Sequence, residues 1–182
     1  MIKDPENIAK NITEIVARKS SIFLNSRKFR KLSQSDKLAQ IERDRMLNET
    51  VMTGLSLAIL MFETIADIGT NRSKEQFYRQ LSVELMSRYG NWMVELGNPA
   101  DTSGLLQKFI KARVNEYKDD YREYKKEVGN FNKTNAWIPI VTTGGFFHLT
   151  KGNPKADRDQ KYFILFRDFI GNLSIDIINC VM

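Results

Sequence analysis

Residues 50–68 read TVMTGLSLAILMFETIADI, and the placement of this stretch decides the fold. On a helical wheel Met52, Leu55, Ile59, Phe62 and Ala66 form one apolar row, and Val51, Ala58, Met61, Ile65 and Ile68 form a second. Glu49, Thr53, Ser56, Glu63 and Asp67 form a narrow polar stripe, interrupted only by Leu60. Roughly two thirds of the circumference is therefore apolar, whereas a surface helix needs an apolar arc of only about 100°. Such a helix must be covered on several sides. The expectation is an all-α fold, a bundle of about five helices in which a long helix over residues 35–68 is wrapped by the others.

The flanking sequence supports that expectation. Only 4 Pro and 10 Gly occur in 182 residues, which favours long helices over a many-turned β fold. Residues 6–32 carry Ile8, Ile12, Ile15, Lys19 and Ile22 at helical spacing, with Val16 and Phe23 widening the stripe, Asp4 as cap and Pro5 at the first helical position. A third helix follows Ser73, with Tyr78, Leu81, Leu85, Tyr89, Trp92 and Leu96 as its seam. A fourth runs from Asp101 to about Val128 on Leu106, Ile110, Arg113, Tyr117, Tyr121 and Tyr124. The last, over residues 157–179, is apolar on most sides, its seam being Phe163, Phe166, Ile170, Leu173 and Ile177. Between these, residues 130–157 lose the helical period. Ile138 to Val141 and Phe146 to Leu149 flank Thr142-Thr143-Gly144-Gly145, so an irregular or hairpin insertion is expected there. A short helix entered at Pro139 and broken at the glycines is the alternative. No linker divides the chain, which reads as a single helical domain over 1–182.

Composition narrows the chemistry. The single cysteine, Cys180, and the single histidine, His148, exclude an internal disulfide and every His/Cys zinc pattern. No metal or cofactor is expected. The start, MIKDPENIAKN, lacks the apolar run of a secretory signal. The longest uncharged central run is shorter than the roughly 20 residues that a membrane span needs. A cytoplasmic protein without membrane insertion is expected. The net charge of +6 is uneven: residues 1–32 hold 8 basic and 3 acidic residues, whereas residues 33–69 hold 3 basic and 6 acidic ones.

Three clusters could carry chemistry. Arg27, Lys28, Arg30 and Lys31, with Phe29 among them, could grip phosphates and stack a base, or sit on anionic lipid. The plainer reading is a solvated helix end whose cations pair with the acids of residues 36–49. In the 137–152 segment, Trp137, Thr142, Thr143, Gly144, Gly145 and His148 could form a small-ligand site, because glycine-rich turns expose amides to anions. The plainer reading is a structural turn, with His148 a hydrogen-bonded packing residue. Neither a P-loop nor a GxGxxG fingerprint occurs. Glu63 and Asp67 share one helix face and could bind a metal or work as acid and base, or, more plainly, pair with cations of a neighbouring helix.

No catalytic set can be assembled, so a non-enzymatic role leads. Two helices apolar on most sides are generous for a monomer, and the surplus suits a subunit interface. The leading reading is a helical assembly or adaptor protein that self-associates through apolar helix faces, with a homodimer or another protein as partner. A nucleic-acid or other polyanion-binding module using the N-terminal basic cluster is the alternative. A small-ligand binder or enzyme using the 137–152 loop comes third.

Overall fold

The computed structural model describes residues 4–124, 126, 134–151 and 156–182, without the side chains of 156–159. Seven α-helices and no strand occur among the described residues. They are α1 (Pro5–Asn25), α2 (Arg27–Ser33), α3 (Gln40–Ile68), α4 (Arg72–Glu95), α5 (Asp101–Tyr124), α6 (Trp137–Leu149) and α7 (Ala156–Asn179).

Helix α3 is the axis of the bundle. It packs against α1, α4, α5, α6 and α7, and these five also touch one another in a closed ring. All residues from Thr50 to Phe62 are buried, those of the polar stripe included. The threonine hydroxyls bond their own helix, whereas the Ser56 hydroxyl is buried without a hydrogen-bond partner among the described residues. Thr50 Oγ1 donates to the Met46 carbonyl and Thr53 Oγ1 to the Glu49 carbonyl, each at 2.8 Å. By length and composition α3 could cross a bilayer, yet 72% of its most apolar window lies inside the protein.

Side-chain pairs fix the directions. Helices α3 and α4 are antiparallel, since Tyr89 Oη donates to Asn48 Oδ1 at 2.7 Å and Phe62 stacks on Tyr78 at 5.7 Å. Helix α5 returns parallel to α3, with Arg113 on Glu49 and Lys118 on Glu63. Helix α6 runs antiparallel to α3, from Thr64 at its Trp137 end to Arg45 at its Leu149 end. Helix α7 closes the ring on α1 through stacked Phe23 and Phe169, 4.3 Å apart, and the ion pair of Lys19 with Asp176 at 2.9 Å.

Three expectations are corrected. Residues 137–149 form neither a hairpin nor a helix broken at the glycines, but one continuous helix. Pro139 is its third residue, where the missing N–H has no helical partner in any case. The glycine pair marks close packing, because a Cβ on Gly144 would lie 2.5 Å from the Tyr117 ring and one on Gly145 2.4 Å from Thr53 Cγ2. Successive residues point about 100° apart, so α6 wedges one glycine against α5 and the other against α3. Residues 130–133 and 152–155 of the expected insertion lie outside the described residues.

Secondly, the first helix is two. It breaks at Ser26, whose hydroxyl accepts from the Phe29 amide at 3.2 Å and caps α2. The turn lets Phe29 reach inward against Phe23 and Tyr162, with ring centroids 4.8 and 5.3 Å away. Thirdly, the buried stripe of α1 is Ile8, Ile12, Val16 and Phe23, which leaves Ile15 at the edge and Ile22 62% exposed. Helix α3 likewise starts at Gln40 instead of residue 35, after a 3-10 turn at Ser35–Lys37.

Candidate functional site

The six residues singled out in the 137–152 segment separate. Trp137 is buried and its Nε1 donates to Thr64 Oγ1 at 2.7 Å. Thr142 and Gly145 are buried against the core. Thr143 donates to the Pro139 carbonyl at 3.0 Å. In a helix the amides are spent on helical bonds, so the anion-holding turn is not formed. Only Thr143 and Gly144 line the adjoining hollow of about 520 Å³, with Glu116, Asp120, Ile140 and Phe147 among its other walls.

His148 belongs to a polar tie among three helices. Its Nε2 lies 2.7 Å from Glu116 Oε1. Arg113 donates from Nη1 to Glu116 Oε2 and from Nη2 to both Glu49 oxygens, each at 3.2 Å. Arg45 donates to the His148 and Leu149 carbonyls at 3.0 and 3.1 Å, placing a cation on the C-terminal end of α6. The arrangement locks α3, α5 and α6. The Nε2 contact with the Glu116 carboxylate ties His148 of α6 to α5. Glu49 and Glu116 are missing from the sequence candidates because 64 and 32 residues separate them from their partners. The available signal is Arg113, a cation on an otherwise apolar seam. Glu63 and Asp67 are paired with cations of neighbouring helices, Lys118 at 2.8 Å and Arg79 at 3.0 Å.

Asp120, on the same hollow, carries a carboxyl raised above its ordinary value of 3.8, first by burial and then by Glu116, Glu123 and Asp119. A carboxyl bound to its proton more tightly in the folded state destabilises the fold once ionised. That penalty is full above the raised folded value and absent below the unfolded one. Asp120→Asn is therefore expected to raise the melting temperature at pH 7. The gain should fade as pH falls through the folded value toward 3.8, which parallel thermal scans would check.

The basic cluster stands apart at α2. Arg27, Lys28, Arg30 and Lys31 are all exposed, whereas Phe29 is fully buried and cannot stack a base. The structure does not gather the cluster and the 137–152 residues into one site.

An open groove of about 820 Å³ lies between α1, α3 and α4. Its apolar lining includes Ile15, Leu47, Val51, Trp92, Met93 and Leu96. Leu96 is 63% exposed, because α4 ends there and carries it past the core. Burial pushes the Tyr89 hydroxyl at the groove up to about 12. Glu14 and Arg18, one turn apart on α1, form the rim, and neither makes an ion pair among the described residues. Sequence reasoning assigned Ile15, Trp92 and Leu96 to the core. The expected stripe of α1 held two adjacent rows, and the one that Val16 and Phe23 complete is buried while Ile15 and Ile22 lie off it.

Among the described residues no group of three or more His, Cys, Asp or Glu side chains is placed to hold a metal. Comparison with family models, with curated proteins and with solved structures finds no match to this chain.

Proposed function

We propose that this chain is a non-enzymatic helical assembly protein that pairs with a second copy of itself through the groove beside α1. The observation that carries this reading is the unmatched rim. Glu14 and Arg18 have opposite charge, share one outer face of α1 and lack partners among the described residues. A two-fold interface sets the same patch against itself. With α1 antiparallel to α1 of the second copy, each Glu14 meets the Arg18 of the other. The groove supplies apolar area of the right kind, since Trp92 and Met93 are residue types enriched at interface cores. Ile22, one turn beyond Arg18, extends it. The apolar surplus of α3 is used up inside the ring, so the interface draws on α1 and the end of α4.

Charge reversal tests this. Light scattering during size exclusion at tens of micromolar should give twice the 21.1 kDa chain mass. Glu14→Arg or Arg18→Glu alone sets like charges against each other twice per dimer and should weaken pairing by about ten- to a hundred-fold. The two substitutions together should restore it. A wild-type monomer removes the reading. A dimer indifferent to both single reversals places the interface elsewhere.

A further inference from the structure

A second surface, at α2, is distinct from the groove. The sequence contains no acid between Glu14 and Asp36, and six cations lie in that interval. The plain explanation for the last four is pairing with the acids of residues 36–49. The structure spends one of those acids on the cluster, on Arg30, and sends the others elsewhere. Asp36 meets Arg30 at 3.3 Å. Glu42 meets Arg45 at 3.2 Å and Lys151 at 2.7 Å. Asp44 accepts from Gln40 at 2.6 Å, and Glu49 is held by Arg113. Arg27, Lys28 and Lys31 are left exposed with no ion pair among the described residues, and Lys37 of the adjoining turn shares that condition. Four unpaired cations thus stand within eleven residues on one corner of the bundle.

We infer that this corner binds the phosphate backbone of duplex nucleic acid, without reading its sequence. Unpaired exposed cations gain by displacing the counterions condensed on a phosphate array. Single-strand binding adds aromatic platforms for the bases, and Phe29, the aromatic of the cluster, is turned fully inward against Phe23 and Tyr162. The same inward turn takes Phe29 out of reach of a lipid surface, which leaves Leu38 and Ile41 as the exposed apolar side chains next to Lys37, and vesicle capture is therefore one outcome of the test. The corner offers charge without a stacking surface, and the duplex supplies the densest regular phosphate array. This inference is independent of the groove.

The test is fluorescence anisotropy with the full chain and a labelled DNA duplex of about 20 base pairs. The same strand unpaired and vesicles of about 30% phosphatidylserine serve as comparison probes. Duplex binding is expected in the low micromolar range at about 50 mM salt. Four phosphate contacts predict an affinity about a hundred-fold weaker at about 200 mM. Replacing Arg27, Lys28 and Lys31 by Ala should weaken duplex binding at least about ten-fold and flatten the salt slope by about three. A charge-matched control, Lys74→Ala with Lys108→Ala and Lys111→Ala, removes three exposed cations from α4 and α5 and should change little. The inference is overturned by no duplex binding at low salt, by equal losses in the two triple variants, by a single strand bound as tightly as the duplex, or by capture on vesicles alone.

Discussion

Valine in place of Gly90 should cost the fold about 4 kcal/mol, while alanine in place of Gly104 should stabilise it by about 0.5–1 kcal/mol. Both glycines sit inside long helices, and intrinsic propensity alone favours replacing either. Their surroundings decide the sign. At Gly90 helix α4 lies directly on the backbone of α5: an added Cβ would stand 2.6 Å from the Ser103 carbonyl oxygen and 2.8 Å from Ser103 Cα. No side chain can swing aside there, so the two helices must separate along a boundary that buries Leu85, Tyr89, Leu106 and Ile110. Overpacking of that kind commonly costs about 1–3 kcal/mol, and the two extra methyl groups of valine take it higher. Against a total stability of about 5–15 kcal/mol, this is a large loss. At Gly104 nothing lies within 4 Å of an added Cβ, so only the propensity gain remains. Urea denaturation of both variants measures the contrast. A Gly90→Val protein as stable as the parent would mean that α4 and α5 do not approach at Ser103.

The second large effect concerns Leu60. On the wheel it interrupts the polar stripe of α3, the side on which solvent would be expected if any side were wet. In the folded chain it is fully buried, as are Leu55 on one apolar row and Ala58 on the other. Leu60→Ala should therefore cost about as much as Leu55→Ala, in the range of about 2–5 kcal/mol set by loss of buried methyls and the cavity left behind. A helix covered on one face only would lose less than about 0.5 kcal/mol at Leu60. Equal shifts in the urea midpoint for both variants, with unchanged slopes, are the expected outcome.

The core helix was legible because burial on all sides leaves a signature that needs no knowledge of partners: the 50–62 run has too little polar surface to face water. Helices α4, α5 and α7 were legible through a different signature, one apolar row whose central residues are the buried ones. Two features failed for identifiable reasons. Gly144-Gly145 reads as a turn because glycine weakens an isolated helix by about 1 kcal/mol each, and only tertiary packing against Tyr117 and Thr53 reverses that preference. Ile15 and Ile22 read as core because a 4-3-4-3 row fits α1 as well as the row actually buried, and the choice between rows is made by α3, α4 and α7 together. Of the functional candidates, the basic cluster keeps its exposure and loses its aromatic. The 137–152 residues lose their loop, and the groove is assembled from three helices whose sequence separation hides it.

Amide hydrogen exchange along α3 tests the central proposition most directly, that five helices sheathe the sixth on every side. Amides from Leu55 to Leu60 should exchange only through global unfolding, with a free energy matching that from urea denaturation to within about 1 kcal/mol. Exchange of those amides within seconds, or at a free energy several kcal/mol below the global value, would show that α3 opens to water by itself and that the ring around it is not closed.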